Sequence, residues 1–353
     1  MNPASSLVIF SSLPRVGGHT TTTLKLCEIL VPAFASITVI VKEIPGHGHS
    51  SAAEEQLRHT GIRTVPCTNP LALAREFRRP QTFLAIGMRH LSPVLSLLLH
   101  PRQSIYYHIT HELSPDIRRQ LDLYRLFFSK IVFLSPATFA LYGHARQTDW
   151  AVQPTQLPAS FASKPILLQG IPRLGFIGRL NPAKGTNLLL DFIAATEVPC
   201  ELHIAGSGEC EHRIREMAAD SSRPGRVIYH GSFQPDLRVE FLQTFFSQIE
   251  TLCVPSLDDR EGIPNVIPEA LQAGVPVLAS NTGGMRSFAL PELGPAPAGT
   301  VTLVEPPLIL PALDALLLRP PADTSQLCRD YFSAYFSDAI VSRRWLEILG
   351  AHN

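Results

Sequence analysis

The chain has 353 residues, 45% of them hydrophobic and 17% charged, too long for one ordinary core and long enough for two α/β domains. Lys plus Arg and Asp plus Glu each total 30, so no global field draws the chain to nucleic acid. Six scattered cysteines with no CxxC, and an N-terminus without the basic and long apolar segments of a signal peptide, predict reduced thiols and a cytoplasmic location.

Apolar runs alternate with helical patterns along the chain, the mark of βα units and parallel sheets. SLVIFSS (6–12) predicts the first strand, followed by the loop LPRVGGHT and a helix TTTLKLCEILV capped by Thr20 or Thr21. Strands at 36–43, 62–67, 83–87, 104–109 and 130–135, with a helix from Ala137 onward, give a doubly wound first half. Within it, LSPVLSLLLH (91–100) is apolar but far below the ~20 residues that span a bilayer. With the arginines at 75–79 it predicts peripheral contact with the inner face of a membrane. GHGH (46–49) reads as a flexible loop. Prolines and small polar residues break the pattern between Asp149 and Pro172, which predicts a linker.

A second series starts at RLGFIGRL (173–180). It continues through a helix at 184–196, the strand CELHIAGSG (200–208), a polar helix from Glu209, the strand at 226–231, a helix at 236–247 and the strand IETLCVPS. GTVTLVEP (299–306) is the last strand, followed by the short helix ILPALDALLL. The tail after Ser325 is amphipathic, and its aromatics at 331, 332, 335, 336 and 345 predict a packing stripe. Two βα series joined by a linker predict two facing domains with a cleft, a favoured place for ligands.

The chemistry concentrates in the second half. In GRLNPAKG (178–185), Arg179 leaves a buried strand, Asn181 can cap the next turn, and Pro182 fits its first position. Lys184 then falls in a first helical turn, unfavourable by a few tenths of a kcal/mol unless an anion sits there. Arg179 and Lys184 together resemble a phosphate clamp. AGSGE (205–209) and HGSF (230–233) are turns at strand ends, the first a glycine turn that lets a ligand approach backbone. The stretch PSLDDREGIPNVIPEALQAGVPVLASNTGG (255–284) holds Glu261 in a loop, Glu269 in the following helix and Gly274 as its left-handed stop. The next strand opens into Gly283 and Gly284. HITHE (108–112) matches no HExxH zinc pattern, and Asp258-Asp259 is adjacent rather than DxD, so no metal site is predicted.

The order GRLNPAKG, HIAGSGE, VIYHGSF and the 255–284 stretch resembles the retaining nucleotide-sugar glycosyltransferases of glycosyltransferase family 4, closely over residues 173–306 and more loosely elsewhere. The resemblance implies the GT-B fold: two Rossmann-like doubly wound domains facing a cleft, with a C-terminal helix crossing back to the first. It divides the chain into an acceptor-side domain (1–160), a nucleotide-sugar domain (161–325) and the returning helix (326–353). It implies that Arg179 and Lys184 neutralise the donor diphosphate, Glu261 holds the sugar hydroxyls, and Glu269 holds the ribose. It adds donor contacts at Gly17 and Gly18, at Gly206 and Gly208, at Gly231, Ser232 and Phe233, and at Gly262, Ile263, Pro264 and Asn265. An N-domain histidine beside the transferred sugar is implied too, preferably His111, with His108 the other candidate; Gly283 and Gly284 complete the set.

The expected reaction is retaining sugar transfer from a nucleoside-diphosphate sugar to a glycan or lipid-linked hydroxyl, without a cofactor or metal. Cationic side chains and a helix start stabilise the departing diphosphate. One departure stands out: the family often carries a glutamate after the glycine pair, where this chain has Met285 and Arg286. The alternatives are a non-catalytic partner subunit that keeps the fold, and a same-fold phosphorylase or epimerase.

Overall fold

A computed structural model describes residues 6–14, 18–43, 48–77, 80–87, 91–142, 147–155, 157–158, 161, 170–232, 237–318 and 323–351. Contacts divide the chain into two units, Met1–Thr155 with Asp338–Asn353, and Gln156–Ser337.

The first unit runs β1 (Ser6–Ser11), α1 (Gly18–Leu30), β2 (Ser36–Val41), α2 (Ser51–His59), β3 (Arg63–Pro66), α3 (Pro70–Glu76), β4 (Thr82–Ile86), α4 (Ser92–Leu99), β5 (Gln103–His108), α5 (Pro115–Tyr124), β6 (Lys130–Phe133), α6 (Pro136–Tyr142) and β7 (Thr148–Trp150). Its seven-stranded parallel sheet has the order β3-β2-β1-β4-β5-β6-β7. The strands read as nearly continuous apolar runs because helices cover both faces; every residue of β4 is buried. One core face gathers Phe10, Phe83, Tyr106, Tyr124 and Phe128, with the Tyr106 and Tyr124 rings edge-on at 4.9 Å.

The second unit runs β8 (Arg173–Ile177), α7 (Thr186–Ala195), β9 (Cys200–Ala205), α8 (Glu211–Ala219), β10 (Gly225–Tyr229), α9 (Arg238–Phe246), β11 (Thr251–Val254), α10 (Val266–Ala273), β12 (Val277–Ser280), β13 (Val301–Val304), α11 (Ile309–Leu318) and α12 (Ser325–Tyr335). Its six-stranded parallel sheet has the order β10-β9-β8-β11-β12-β13. Strand order reverses between β1 and β4 in one sheet and between β8 and β11 in the other. Such switch points are where open α/β sheets bind ligands, at the carboxyl ends of the strands.

Three expectations change. The first helix starts at Gly18, ahead of the threonines, and the Thr20 hydroxyl bonds back to the Pro14 carbonyl at 2.6 Å instead of capping. The segment read as a linker from Asp149 begins with β7, too short for any period to show, paired to β6 through Ile131, Val132 and Phe133. The tail is two helices. Phe336, 1% exposed against Phe288, ends α12, and the chain restarts as α13 (Asp338–Ile348).

The two tail helices belong to different units. Tyr331 of α12 donates its hydroxyl to the Leu293 carbonyl at 3.2 Å. On α13, the Trp345 ring meets Tyr107 edge-on at 4.8 Å, Arg344 pairs with Asp149, and Asp338 pairs with Lys25 at 3.1 Å. The amphipathic period could find the apolar stripe but not the residue at which it changes partner.

Candidate active site

At the β8/β11 switch point, the loop after β8 and the loop after β11 are tied by backbone. Asn181 caps a 3-10 turn, Pro182–Lys184, by accepting the Lys184 N–H at 3.0 Å. Gly185 follows at φ +75°, where an added Cβ would overlap the Pro255 carbonyl oxygen. Leu257 N–H donates to the Ala183 carbonyl at 2.8 Å. This seam brings Lys184 onto Glu261, and the ammonium and carboxylate form an ion pair. Lys184 therefore sits in a separate turn ahead of α7, not in that helix's first turn. The anion that the sequence demanded beside it is the chain's own Glu261.

Glu261 is 13% exposed at its side chain, and its second oxygen, Oε2, has no hydrogen-bond partner among the described residues. A buried carboxylate oxygen without a donor is costly unless something supplies one. Arg179 is exposed and makes no ion pair among the described residues. An exposed guanidinium, a lysine shared with a carboxylate and that carboxylate's second oxygen form a set able to hold an anion next to a hydroxyl-bearing group.

The glycines act mainly on protein backbone. Gly206 and Gly208, at φ +135° and +152°, lie against Gly178 and Leu180, so they seat the loop that carries Arg179. Gly206→Ala is expected to cost about 1–3 kcal/mol in urea unfolding, because its Cβ would strike the Gly178 carbonyl from a left-handed position. Gly283 and Gly284 do the same for the glutamate loop. Gly283 packs on the Glu261 carbonyl, and a Cβ on Gly284 would come within 2.6 Å of Gly262 and 2.8 Å of Ile263. Gly284 N–H also donates to the Glu261 carbonyl at 2.8 Å. Gly231, at φ +74°, has nothing among the described residues within 4 Å of an added Cβ, and Ser232 follows it. Gly18 opens α1. Gly17 and Phe233 lie outside the described residues.

Pro264 and Asn265 lead into α10, with Ile267 N–H donating to the Pro264 carbonyl at 3.0 Å. Glu269, one turn in, is 0% exposed. Arg238 of α9 places one nitrogen, Nη2, 2.7 Å from each of its oxygens. Burial raises the Glu269 carboxyl above its ordinary range, and the Arg238 guanidinium pulls it back. Arg238 was invisible in sequence, since nothing in a helix start such as DLRVEF marks a partner 31 residues away.

The departure after the glycine pair has a local explanation. Met285 is 0% exposed, and Arg286 bonds Asp259 Oδ1 at 2.7 Å while Gly283 N–H donates to the same oxygen at 2.8 Å. Arg286 and Asp259 thus clasp the glutamate loop to the glycine pair.

In the first unit, His108 and His111 have different surroundings. His108 lies among rings, 5.8 Å from Phe133, and its Nε2 is 3.2 Å from the Glu112 carbonyl. His111 is 3% exposed with Nδ1 2.8 Å from the Thr138 hydroxyl. A third histidine of this unit carries no motif in the sequence. His19, directly after the glycine pair 17–18, has Nε2 and Nδ1 each 3.1 Å from the hydroxyls of Ser11 and Ser12. Burial lowers its pKa to about 4, so it is uncharged at neutral pH. Among the described residues no group of three or more His, Cys, Asp or Glu could hold a metal ion. No helix among them is long and apolar enough to cross a membrane.

Residues 171–303 match the family model described as glycosyl transferases group 1. A mannosyltransferase of Corynebacterium glutamicum, GDP-mannose-dependent and acting on a monoacylated phosphatidylinositol monomannoside, is 27% identical over 181 residues. That match covers 50% of this chain, and the chain spans about half, 47%, of that relative. Among solved structures, Anabaena HepE in complex with UDP and glucose superposes with a TM-score of 0.73 at 16% identity, over 99% of this chain and 100% of that one. A glycosyltransferase from Rickettsia africae gives 0.71 at 14% identity, over 99% and 98%. These likenesses establish the GT-B fold: two Rossmann-like parallel α/β domains with C-terminal helices.

Proposed function

We propose that the chain is a retaining glycosyltransferase of glycosyltransferase family 4, transferring a sugar from a nucleoside-diphosphate sugar to a glycan or lipid-linked hydroxyl. The observation that carries this reading is the Lys184–Glu261 pair, with a carboxylate oxygen that has no partner among the described residues, at a strand-end switch point whose loop also carries the exposed Arg179. Breaking the anomeric bond leaves negative charge on the diphosphate, which Arg179 and Lys184 would stabilise. Glu261 Oε2 would accept a sugar hydroxyl. Glu269 would accept the ribose, and the backbone N–H groups of Gly262 and Ile263 would face the donor. Such a site needs no divalent ion to neutralise the leaving group. Support for the donor class comes from the matched relatives, one GDP-mannose-dependent and one bound to UDP and glucose.

The clasp between Arg286 and Asp259 favours catalysis over the partner-subunit reading, because it holds the glutamate loop where the family's own residue is missing. A cytoplasmic location with peripheral contact through α4 is the matching proposal for a lipid-linked acceptor. Val94 and Leu97 of that helix are 43% and 52% exposed.

Calorimetry with UDP-, GDP- and ADP-sugars, followed by measurement of free nucleoside diphosphate on turnover, tests the reading. Binding of one donor class and release of its diphosphate are expected. Failure to bind any of them would overturn it, and binding without turnover on a full acceptor set would favour the partner subunit.

A further inference from the structure

Two polar side chains of the first unit lie in a row behind His111. Ser135 follows β6, Thr138 is in the first turn of α6, and both are 0% exposed. Ser135 Oγ accepts the Thr138 N–H at 3.2 Å, as an N-cap does. The two hydroxyl oxygens are 2.9 Å apart, and Thr138 Oγ1 is 2.8 Å from His111 Nδ1. Each hydroxyl has one proton to give.

Counting protons fixes the direction of the row. Among the described residues the Ser135 hydroxyl has one acceptor, Thr138 Oγ1. If Thr138 gave its proton to Ser135, the Ser135 proton would be stranded in a site with no exposure. Ser135 therefore donates to Thr138, and Thr138 donates to His111 Nδ1. A nitrogen that accepts there carries no proton, so the ring is neutral and its proton is on Nε2.

We infer that Thr138 and Ser135 are positioning residues that hold His111 in its neutral Nε2–H tautomer, so that it meets substrate as a hydrogen-bond donor and not as a base. The inference rests on the glycosyl-transfer reading for its substrate, though not for its tautomer. It fits a reaction with retention. The acceptor oxygen bonds the anomeric carbon, the bond to the diphosphate breaks, and the acceptor proton passes to the departing phosphate oxygen, so no histidine base is required.

The test combines spectra with kinetics. In protein labelled with 15N-histidine, long-range 1H–15N spectra should show His111 with unprotonated Nδ1 and protonated Nε2, the signals being assigned by their loss in His111→Gln. Thr138→Val should mix the tautomers and lower kcat roughly tenfold with donor KM within about twofold, the scale of one hydrogen bond. Thr138→Ser should recover both spectrum and rate, and Ser135→Ala should mix the tautomers even if the valine variant folds poorly. Wild-type His111 with its proton on Nδ1, or folded Thr138→Val or Ser135→Ala protein with unaltered spectrum, overturns the inference. A wild type that cleaves no nucleotide sugar overturns the functional reading instead, and the spectra still decide the tautomer.

Discussion

Lys184→Ala should lower sugar transfer by about 10²–10³-fold, the usual loss on removing one group aimed at developing charge. Two effects combine in it. The lysine would face the leaving diphosphate, and in the free protein it is the ion-pair partner of Glu261, whose other oxygen has no hydrogen-bond partner among the described residues. Taking it away removes a positive charge and releases the carboxylate from its fixed position. Lys184 and Glu261 are 20% and 13% exposed at their side chains, so stranding the carboxylate should cost about 1–3 kcal/mol of folding stability. The variant should thus stay folded, with a modestly lower urea midpoint, while releasing nucleoside diphosphate far more slowly in single turnover. Lys184→Arg should recover part of the rate, because the charge returns in a planar fork rather than a compact ammonium. Full transfer by both Lys184→Ala and Glu261→Ala would sink the proposed mechanism.

Much of this site was legible in the residues because its parts are adjacent in sequence. Asn181, Pro182 and Lys184 fall within one turn, and the turn chemistry that Asn and Pro dictate is what the structure shows. The demand for an anion near Lys184 was also a local argument. Identifying that anion required the seam from Ala183 to Leu257, which joins segments 74 and more residues apart only after β8 and β11 have paired. Gly283 and Gly284 could be read as a turn, but their need to be glycine comes from the backbone of Glu261–Ile263, which no local pattern displays. Arg238 and Thr138 belong to the same class. Each lies on a helix whose apolar period describes its core face and says nothing about which polar neighbour completes a carboxylate or an imidazole. The strands were the easiest part, since burial on both faces writes them as apolar runs; β7, with three half-buried residues, was not.

Arg238→Ala should destabilise the protein by about 3–5 kcal/mol, the cost of leaving a buried charge without its partner. Glu269 has no exposure, and one guanidinium nitrogen sits 2.7 Å from both of its oxygens. The loss should depend on pH in a definite sense. Burial raises the folded-state pKa of Glu269, with Arg238 opposing, so removing Arg238 raises it further. An acid whose folded pKa lies above its unfolded value, about 4.3, binds its proton more readily in the fold. Its burial therefore costs most at high pH, and the cost shrinks as the pH falls through the raised pKa. Urea denaturation should accordingly show a gap between wild type and Arg238→Ala that is widest near about pH 8 and narrows toward about pH 5. Glu269→Gln placed on the Arg238→Ala background should recover most of the lost stability at the higher pH, since the stranded charge is gone. The same double variant should bind a nucleoside diphosphate more weakly, because a neutral amide replaces the carboxylate proposed to accept the ribose hydroxyls. A stability gap of equal size at both pH values would mean that Arg238 leaves the titration of Glu269 unchanged and acts through packing alone, which would sink this prediction.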